Sequence, residues 1–478
     1  MSDPVASLQH EVGEGKVLDL DEQRLREMGY PRPIGRKYSV ISVLGVAYSL
    51  TNSWWGLSAS LVTGVNSGGT ALLVYGTILL SIVSVAVAAT LAELVSAMPN
   101  AAGQSFWAKE LSSKKFSRLA SYITGWLAWA GSIFANWNSW HTLVAYEVAN
   151  IFCFFFNVYG RTLSVIGHAC LYVSLGSFLV ILIVVPARAR THKWAEFVFV
   201  FASFSNKTGW SSDAIAFFVG LINTNWGFSC LDTAVHLAEE ISQPERMIPI
   251  AIMGVIVIGF VSCQSAQDSP RYVSEAVTRH IQITSFSFIL AMLFSIQDYT
   301  ALLDASVPSL ELFGQALDNT AAAIILEALT IVTGLGCLVS CHTWAARLCW
   351  SFSRDKGVPF SNIWAKIVPS LDTPFAAHIL TTTIIGLVGC IYLGSETAFN
   401  SMVTACIVLP YLSYMLPVVG LLIRGRNNIS HGPFWLGTWG LICNWVCLTW
   451  IAFTTVFYSF PSIMPVQGGS EYTIEATL

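Results

Sequence analysis

The sequence has little charge: only 11% of its 478 residues are Asp, Glu, Lys or Arg, whereas 54% are hydrophobic and the mean hydropathy is +0.62. A soluble domain carries about 25% charged residues, which keep its surface hydrated. Long apolar stretches recur along the whole chain, on the scale of the ~20 residues that a helix needs to cross a bilayer. These features exclude a soluble enzyme and an outer-membrane barrel, and they predict an all-α polytopic membrane protein.

Features of other protein classes are also missing. The formal net charge is -4 and there is no basic block, which argues against nucleic acid as a partner. The chain has no His-Glu-x-x-His, Gly-x-Ser-x-Gly, Walker or Gly-x-Gly-x-x-Gly signature, so we expect neither an enzyme nor an ATP-driven pump, and no cofactor or metal. Residues 1–36 lack the apolar core of a signal peptide. All cysteines but Cys263 lie in or beside apolar stretches without zinc-like spacing, and we expect them reduced.

Eleven membrane spans are predicted. Apolar windows fall at 41–63, 71–96, 119–136, 141–158, 162–186, 214–237, 321–346, 376–394, 399–423 and 434–460, with an interrupted one between 249 and 297. Of the 24 Lys and Arg residues, those on the side opposite the N-terminus are Arg188, Arg190, Lys193 and Lys207, with Arg271 and Arg279 of the interrupted window left aside. The positive-inside rule then predicts a cytosolic N-terminus. We expect a cytosolic tail at 1–38, a transmembrane domain at 39–461 and a short tail at 462–478.

This topology places the Asn206-Lys207-Thr208 sequon in an outer loop, where Asn206 can be glycosylated. The second sequon, at residues 428–430, falls on the inner side and should stay unmodified.

Two spans are interrupted by small and polar residues near their middles, a pattern typical of discontinuous helices that bind a solute or ion. In the first, Asn52, Ser53, Trp54, Trp55 and Gly56 follow the apolar run 40–50. Asn and Ser can bond to freed backbone groups, and Gly permits a non-helical turn. The alternative is a polar packing face, which is common in membrane helices.

The sixth span carries Asn223, Asn225, Gly227 and Asp232 at a depth where a carboxylate costs about 2.5–3.5 kcal/mol. Asp232 must therefore face a cavity or a partner. His236, four residues later on the same helix face, can share its proton. Structural alternatives are an ion pair or capped helix end for Asp232 and a bond to a neighbouring helix for His236.

Four further acids have simpler interpretations. Glu239 and Glu240 come one turn after His236 and are expected to face the cytosol as solvated charges. Glu93 and Glu327 are expected to pack or pair with neighbouring helices.

Five runs of sequence together resemble one family, in order over about residues 35–466. They are residues 52–61, residues 93–103 (ELVSAMPNAAG), Ser229 to Asp232 with His236 and residues 244–251, residues 341–350, and residues 431–437. The family is that of the fungal choline and GABA permeases, within the amino acid/polyamine/organocation superfamily.

The resemblance implies a LeuT-like secondary transporter with two inverted five-helix repeats and a central site between the broken first and sixth helices. It also implies proton-driven uptake at the plasma membrane. Asn52 to Gly56 match the first unwound segment, residues 228–232 (Phe228, Ser229 and Asp232 among them) the second, and Trp226 an aromatic gate. Asp232 matches an acid that proton-coupled relatives use.

Three departures from the family stand out. The third span ends near Ala135 and runs straight into residues 136–140, and no twelfth span follows Phe460. The seventh window is split by the polar segment 262–280, which we interpret as translated intron sequence or the product of a faulty gene model.

Two hypotheses follow. The first is a proton-coupled transporter for a small cationic or zwitterionic nitrogen compound, such as choline, GABA, an amino acid or a polyamine. An ammonium group would be held by Asp232 and by cation-π contacts with Trp54, Trp55 and Trp226. The second is a non-transporting membrane protein, either a degenerate permease or a nutrient receptor. For Trp54 and Trp55 the alternative role is anchoring at the bilayer interface.

Overall fold

The computed structural model describes Gly35 and residues 37–136, 143–158, 162–189, 194–259, 284–305, 307–391 and 396–464. Its α-helices in that part of the chain are α1 Val40–Thr51, α2 Ser53–Ala59, α3 Leu61–Ala97, α4 Gln104–Leu111, α5 Ser117–Ala135, α6 Leu143–Val158, α7 Leu163–Ala189, α8 Phe197–Ala202, α9 Asp213–Asn225, α10 Pro244–Gly259, α11 Thr284–Ser295, α12 Tyr299–Asp304, α13 Pro308–Leu317, α14 Thr320–Arg354, α15 Ser361–Trp364, α16 Phe375–Ile391, α17 Glu396–Arg424 and α18 Thr438–Phe457.

Every predicted window contains helix, the shorter helices α4, α8, α12, α13 and α15 lie outside the windows, and the all-α prediction is confirmed. Within the described residues, five stretches are individually long and apolar enough to cross a bilayer: Thr63–Ala97, Leu163–Ala189, Thr320–Arg354, Thr404–Arg424 and Thr438–Phe457. The first and sixth spans are built from shorter pieces because each is broken. The first span turns into the second at Gly68 and Gly69, where φ of Gly69 is +70°.

The broken spans occupy the centre of the bundle. Helix α1 packs against α7, α10 and α14, and its residues 42–51 are all buried. Helices α9 and α10 both lie along α3, and α17 packs against α4 and α5. Apolar side chains on α6, α7 and α16, such as Phe155, Ile183 and Leu387, are exposed. The bundle therefore has a lipid-facing rim around a core that contains both helix breaks.

Two of the departures from the family concern regions only partly described. Helix α5 ends at Ala135 as predicted, and residues 137–140 lie outside the described part. The seventh window is helical on both sides of its interruption, in α10 and α11. The polar segment 262–280 itself lies outside the described residues, so its interpretation stays a prediction.

Candidate functional site

The first break is narrower than the sequence predicted. It is confined to Asn52, whose φ of +22° separates α1 from α2 and whose N–H still donates to the carbonyl of Tyr48 at 2.7 Å. Ser53 to Gly56 form the first turn of α2 rather than an unwound segment. Helical bonding resumes at once because these residues carry no proline, and Ser53 to Trp55 tolerate helical dihedrals.

The second break is longer. Helix α9 ends at Asn225, a single 3-10 turn spans Trp226–Phe228, and helical structure returns only at the 3-10 turn Val235–Leu237. Between the two turns, Cys230 has a φ of +60°, which is uncommon for a residue other than glycine. The segment that contains Ser229 and Asp232 is therefore non-helical, as the sequence predicted.

The two breaks touch at a pair of glycines. A Cβ on Gly56 would lie 3.0 Å from Cα of Gly227 and 2.9 Å from Cδ1 of Trp226. A Cβ on Gly227 would lie 2.7 Å from the carbonyl oxygen of Ser53. Only glycine permits this approach, which brings the backbone of both broken helices together beneath the half-buried indole of Trp226.

Asp232 is fully buried and its carboxylate is saturated with hydrogen bonds. The amide of Gln104 donates to Oδ2 at 2.5 Å, and the hydroxyl of Tyr414 donates to Oδ1 at 2.7 Å. Nε2 of His236 lies 3.1 Å from Oδ2. The predicted pairing of Asp232 with His236 is thus present in the structure, within a larger polar cluster that the sequence did not reveal.

The hydrogen bonds of His236 fix the number of protons shared by the Asp232–His236 pair. Its Nδ1 lies 2.7 Å from the carbonyl of Ala101, and a carbonyl can only accept, so Nδ1 carries a hydrogen. The contact between Nε2 and Oδ2 then requires one further proton. Either imidazolium faces carboxylate, or neutral imidazole accepts from a carboxylic acid. The pair holds one transferable proton in a buried site.

Trp54 and Trp55 do not reach this cluster. The indole N–H of Trp54 donates to the Ser174 hydroxyl at 3.1 Å, and its ring packs between Phe178 and Phe288. The indole N–H of Trp55 donates to the Thr330 carbonyl at 3.1 Å. Both rings therefore tie the first span to neighbouring helices. Asn52 takes part in the same contacts, since its Oδ1 accepts from Ser174 at 3.3 Å.

A void too narrow to admit a water molecule lies beside the unwound segment. It is lined by residues of that segment and of α17: Phe228, Ser229, Cys230, Leu231, Ile407, Pro410, Tyr411 and Tyr414. A substrate can therefore enter this void only if the residues around it move apart. Aromatic and aliphatic groups dominate its wall.

Tyr411 and Tyr414 belong to the wall although the sequence did not single them out. Their rings meet edge to face with centroids 5.9 Å apart. Both hydroxyls are engaged on other groups: Tyr411 donates to Asn225 at 3.1 Å and Tyr414 donates to Asp232. Two tyrosines three residues apart beside Pro410 and Pro417, within a span, are the signal that could have marked this helix.

The prediction for Glu239 and Glu240 was wrong. Both are buried, at 3% and 2% exposure, and each pairs with an arginine of α14. Glu239 binds Arg354 at 2.8 Å through both oxygens, and Glu240 binds Nε of Arg347 at 2.8 Å. A desolvated carboxylate needs such a partner, and the partners lie more than 100 residues away in sequence, where local pattern could not reveal them.

Glu93 is buried and paired, as predicted. It binds Arg426 at 2.9 Å through both oxygens and accepts from the backbone of Leu436 at 2.7 Å.

The side chain of Asn206, in the first sequon, makes hydrogen bonds within the protein. Nδ2 of Asn206 donates to the carbonyl of Trp210 at 2.9 Å and to Asp213 at 3.0 Å, while its Oδ1 accepts from Thr208 at 2.6 Å. Glycosylation of Asn206 stays a prediction.

Several known transporters are similar to this chain over most of its length. A choline transporter of Saccharomyces cerevisiae is 43% identical over 90% of this chain and 77% of its own length. A swainsonine transporter of Arthroderma benhamiae is 32% identical over 90% of this chain and 86% of its own. A 7-keto 8-aminopelargonic acid transporter of Saccharomyces cerevisiae is 29% identical over 90% and 87% of the two chains.

The fold has solved counterparts as well. A manganese transporter of Eremococcus coleocola superposes with a TM-score of 0.52 at 12% identity, covering 88% of this chain and 86% of that one. The predicted LeuT-like architecture, with broken first and sixth helices, is confirmed by this likeness and by the breaks described above. The sequence model of the amino acid permease family matches residues 38–474. The chain is a multi-pass membrane protein and belongs to the amino acid permease family.

Proposed function

We propose that this transporter is a proton symporter that carries a small methylated ammonium compound into the cell across the plasma membrane. The observation that carries the proposal is the aromatic void beside the Asp232–His236 pair. The proposal narrows the wider class expected from the sequence, which included GABA, amino acids and polyamines.

The chemistry of the wall favours a quaternary ammonium. Such a group has no N–H to satisfy, and it is held by ring faces and methyl contacts, with about 2 kcal/mol or more for a desolvated cation-π contact. Phe228, Tyr411 and Tyr414 supply rings, and Leu231 and Ile407 supply apolar contacts. A primary ammonium would need three acceptors. Asp232 is a poor one, because its oxygens already accept from Gln104 and Tyr414 and contact His236.

Tyr414 connects the substrate void with the proton site. Its ring lines the void, and its hydroxyl donates to Asp232 at 2.7 Å. A proton added to the Asp232–His236 pair changes the acceptor that this hydroxyl faces, and a cation against the ring changes the field at the carboxylate. This shared residue gives substrate and proton a direct physical means of coupling, as symport requires.

In this proposal the predicted site residues have unequal roles. Trp226, Phe228, Ser229 and Asp232 surround the substrate and the proton. The backbone of Ser53 and Gly56 lies against Gly227, next to the unwound segment, and Asn52 marks the break before them. Trp54 and Trp55 position the first span by packing, through the bonds described above.

The substrate class is tested by a competition panel in cells that lack their own permeases. We expect choline to be taken up, and ethanolamine, GABA, lysine and putrescine to compete about tenfold or more weakly, a difference of about 1.4 kcal/mol. Tyr411→Leu should weaken choline uptake and narrow that difference, whereas Tyr122→Leu, an exposed ring on α5, should leave both unchanged. Equal competition by ethanolamine would exclude the proposed class. No uptake of any compound at normal surface level would favour the non-transporting alternative.

Trp226 is proposed as the lid over the site. Its indole meets the first span at Gly56, and it is only half-buried in a conformation whose void is closed. We expect Trp226→Ala to raise the apparent KM for choline several-fold, because loss of the ring leaves the bound substrate open to water. Initial uptake rates across a concentration series measure this change. Wild-type kinetics in the variant would assign Trp226 to packing alone.

A further inference from the structure

One short loop touches two polar clusters of the sixth span. Residues 100–103, here called the connecting loop, join α3 to α4. The carbonyl of Ala101 accepts from Nδ1 of His236 at 2.7 Å, while the N–H of the same residue donates to Oε1 of Glu239 at 3.3 Å. Ala101 is 1% exposed. Ala101, a single buried residue, is thus hydrogen-bonded both to His236 of the Asp232–His236 pair and to Glu239, which forms an ion pair with Arg354.

The loop is fastened firmly on the proton side. Gln104 follows it directly and donates to Asp232 at 2.5 Å. Gly103 has a φ of +52°, and a Cβ there would lie 3.0 Å from Cε1 of His236. A side chain at position 103 would therefore crowd the imidazole, and glycine lets the backbone lie close to it.

The loop is fastened on the other side by the Glu239–Arg354 ion pair. Arg354 binds both oxygens of Glu239 at 2.8 Å, and its Nη2 lies 3.5 Å from Oδ1 of Asn100. That same Oδ1 accepts from the N–H of Ala102 at 2.8 Å and so closes the turn. By the predicted topology this ion pair lies toward the cytosolic end of α14, where it joins the sixth span to the eighth.

We infer that the connecting loop transmits the protonation state of Asp232 and His236 to the Glu239–Arg354 ion pair. The inference rests on the proton symport proposed above. The hydrogen bond from Nδ1 to the carbonyl of Ala101 strengthens when the imidazole is charged. The resulting polarisation of the Ala101 backbone changes the hydrogen bond between its N–H and Glu239. Glu239 and Arg354 are positioning residues here, since neither touches the substrate void.

Other charged and titratable groups around the pair belong to different elements. Tyr414 of α17 and Cys230 of the unwound segment lie close to Asp232. Glu240, Arg347 and Lys37 form a neighbouring ionic cluster. Among the described residues, this cluster makes no hydrogen bond to the connecting loop. It therefore provides a matched control.

The test compares Glu239→Gln with Glu240→Gln in the full-length transporter. Each removes one buried charge that binds an arginine of α14, but only Glu239 also holds Ala101. We expect half-maximal uptake in Glu239→Gln to move about one pH unit toward acid, because the weakened Ala101 bond favours the protonated imidazole less. Glu240→Gln should change the maximal rate without moving the midpoint. Equal midpoints in wild type, Glu239→Gln and Glu240→Gln would overturn the inference.

Hydrogen-deuterium exchange gives an independent readout on purified protein, which needs no active variant. After correction for the intrinsic pH dependence of exchange, amides of residues 100–103 should change protection between pH 5 and pH 8 in the wild type, but not in Asp232→Asn. Unchanged protection in the wild type would also overturn the inference. A wild type whose uptake does not depend on pH would instead refute the proposed proton symport itself, so the two failures are distinguishable.

Discussion

Replacing Asp232 by Asn should abolish uptake and leave the protein at the cell surface. The amide keeps the volume of the carboxylate but cannot carry the proton that the pair holds with His236. The cluster can accommodate the new donor, because Oε1 of Gln104 has no hydrogen-bond partner among the described residues and the Gln104 side-chain amide can turn to accept. Loss of function should therefore occur without loss of folding.

Radiolabelled uptake between pH 5 and pH 8, together with surface biotinylation, measures this result. Asp318→Asn is the matched control: it is exposed at the end of α13 and has a φ of +48° that suits Asn equally well. We expect wild-type uptake from that control. Full uptake by Asp232→Asn, with unchanged pH dependence, would remove Asp232 from the mechanism.

Replacing Arg426 by Ala should destabilise the fold severely. Glu93 is 0% exposed, and Arg426 is bound to it through two 2.9 Å contacts. Arg426 also binds Asn444 and lies 4.4 Å from the Trp435 ring centroid. Removing one partner of a buried pair leaves an uncompensated charge, which costs about 3–5 kcal/mol. These contacts join α3, the 425–437 connection and α18, so the variant should loosen the packing of all three elements where they meet.

Thermal unfolding of the purified protein in detergent tests this expectation, with Arg424→Ala as the control. Arg424 is exposed and is bonded to the carbonyl of Glu110 at 2.5 Å, so its removal should cost about 1 kcal/mol or less. The double variant Glu93→Gln/Arg426→Gln should recover part of the loss, because no unpaired charge remains buried. An Arg426→Ala variant as stable as Arg424→Ala would contradict the structural role of the pair.

The positions of both helix breaks were predictable because their causes are local. Asn52 and Gly56 in the first span, and Gly227 to Asp232 in the sixth, replace residues that favour helix with residues that bond to free backbone groups or permit turns. The extent of each break was less predictable. The first is confined to Asn52, since tertiary packing of Trp54 and Trp55 against Ser174 and Thr330 stabilises helical structure directly after it.

The side chains that surround Asp232 could not be predicted. Gln104 and Tyr414 lie 128 and 182 residues from it in sequence. Each contacts Asp232 because its helix is oriented about its own axis so that this side chain faces the sixth span. The spacing of apolar residues does not predict this orientation well here. Spans such as α1 are buried on every side and so have no distinct polar face. Because the orientation of the helices could not be predicted, Trp54 and Trp55 were expected at the site, whereas Tyr411 and Tyr414 were not.

The sequence alone determined that this protein is a bundle of membrane-spanning helices, where those helices lie, and that an acid at position 232 must have a partner. These conclusions depend on the free-energy cost of placing charges and unpaired backbone groups in hydrocarbon. That cost applies to each stretch of the chain by itself, so it can be judged from local sequence. Only the tertiary structure decided that Glu239 and Glu240 are buried ion-paired groups and that the connecting loop joins Glu239 to His236. Those contacts depend on which helices are neighbours. The core of this bundle contains both apolar and polar side chains, and only the packing of the whole chain determines which helices lie side by side.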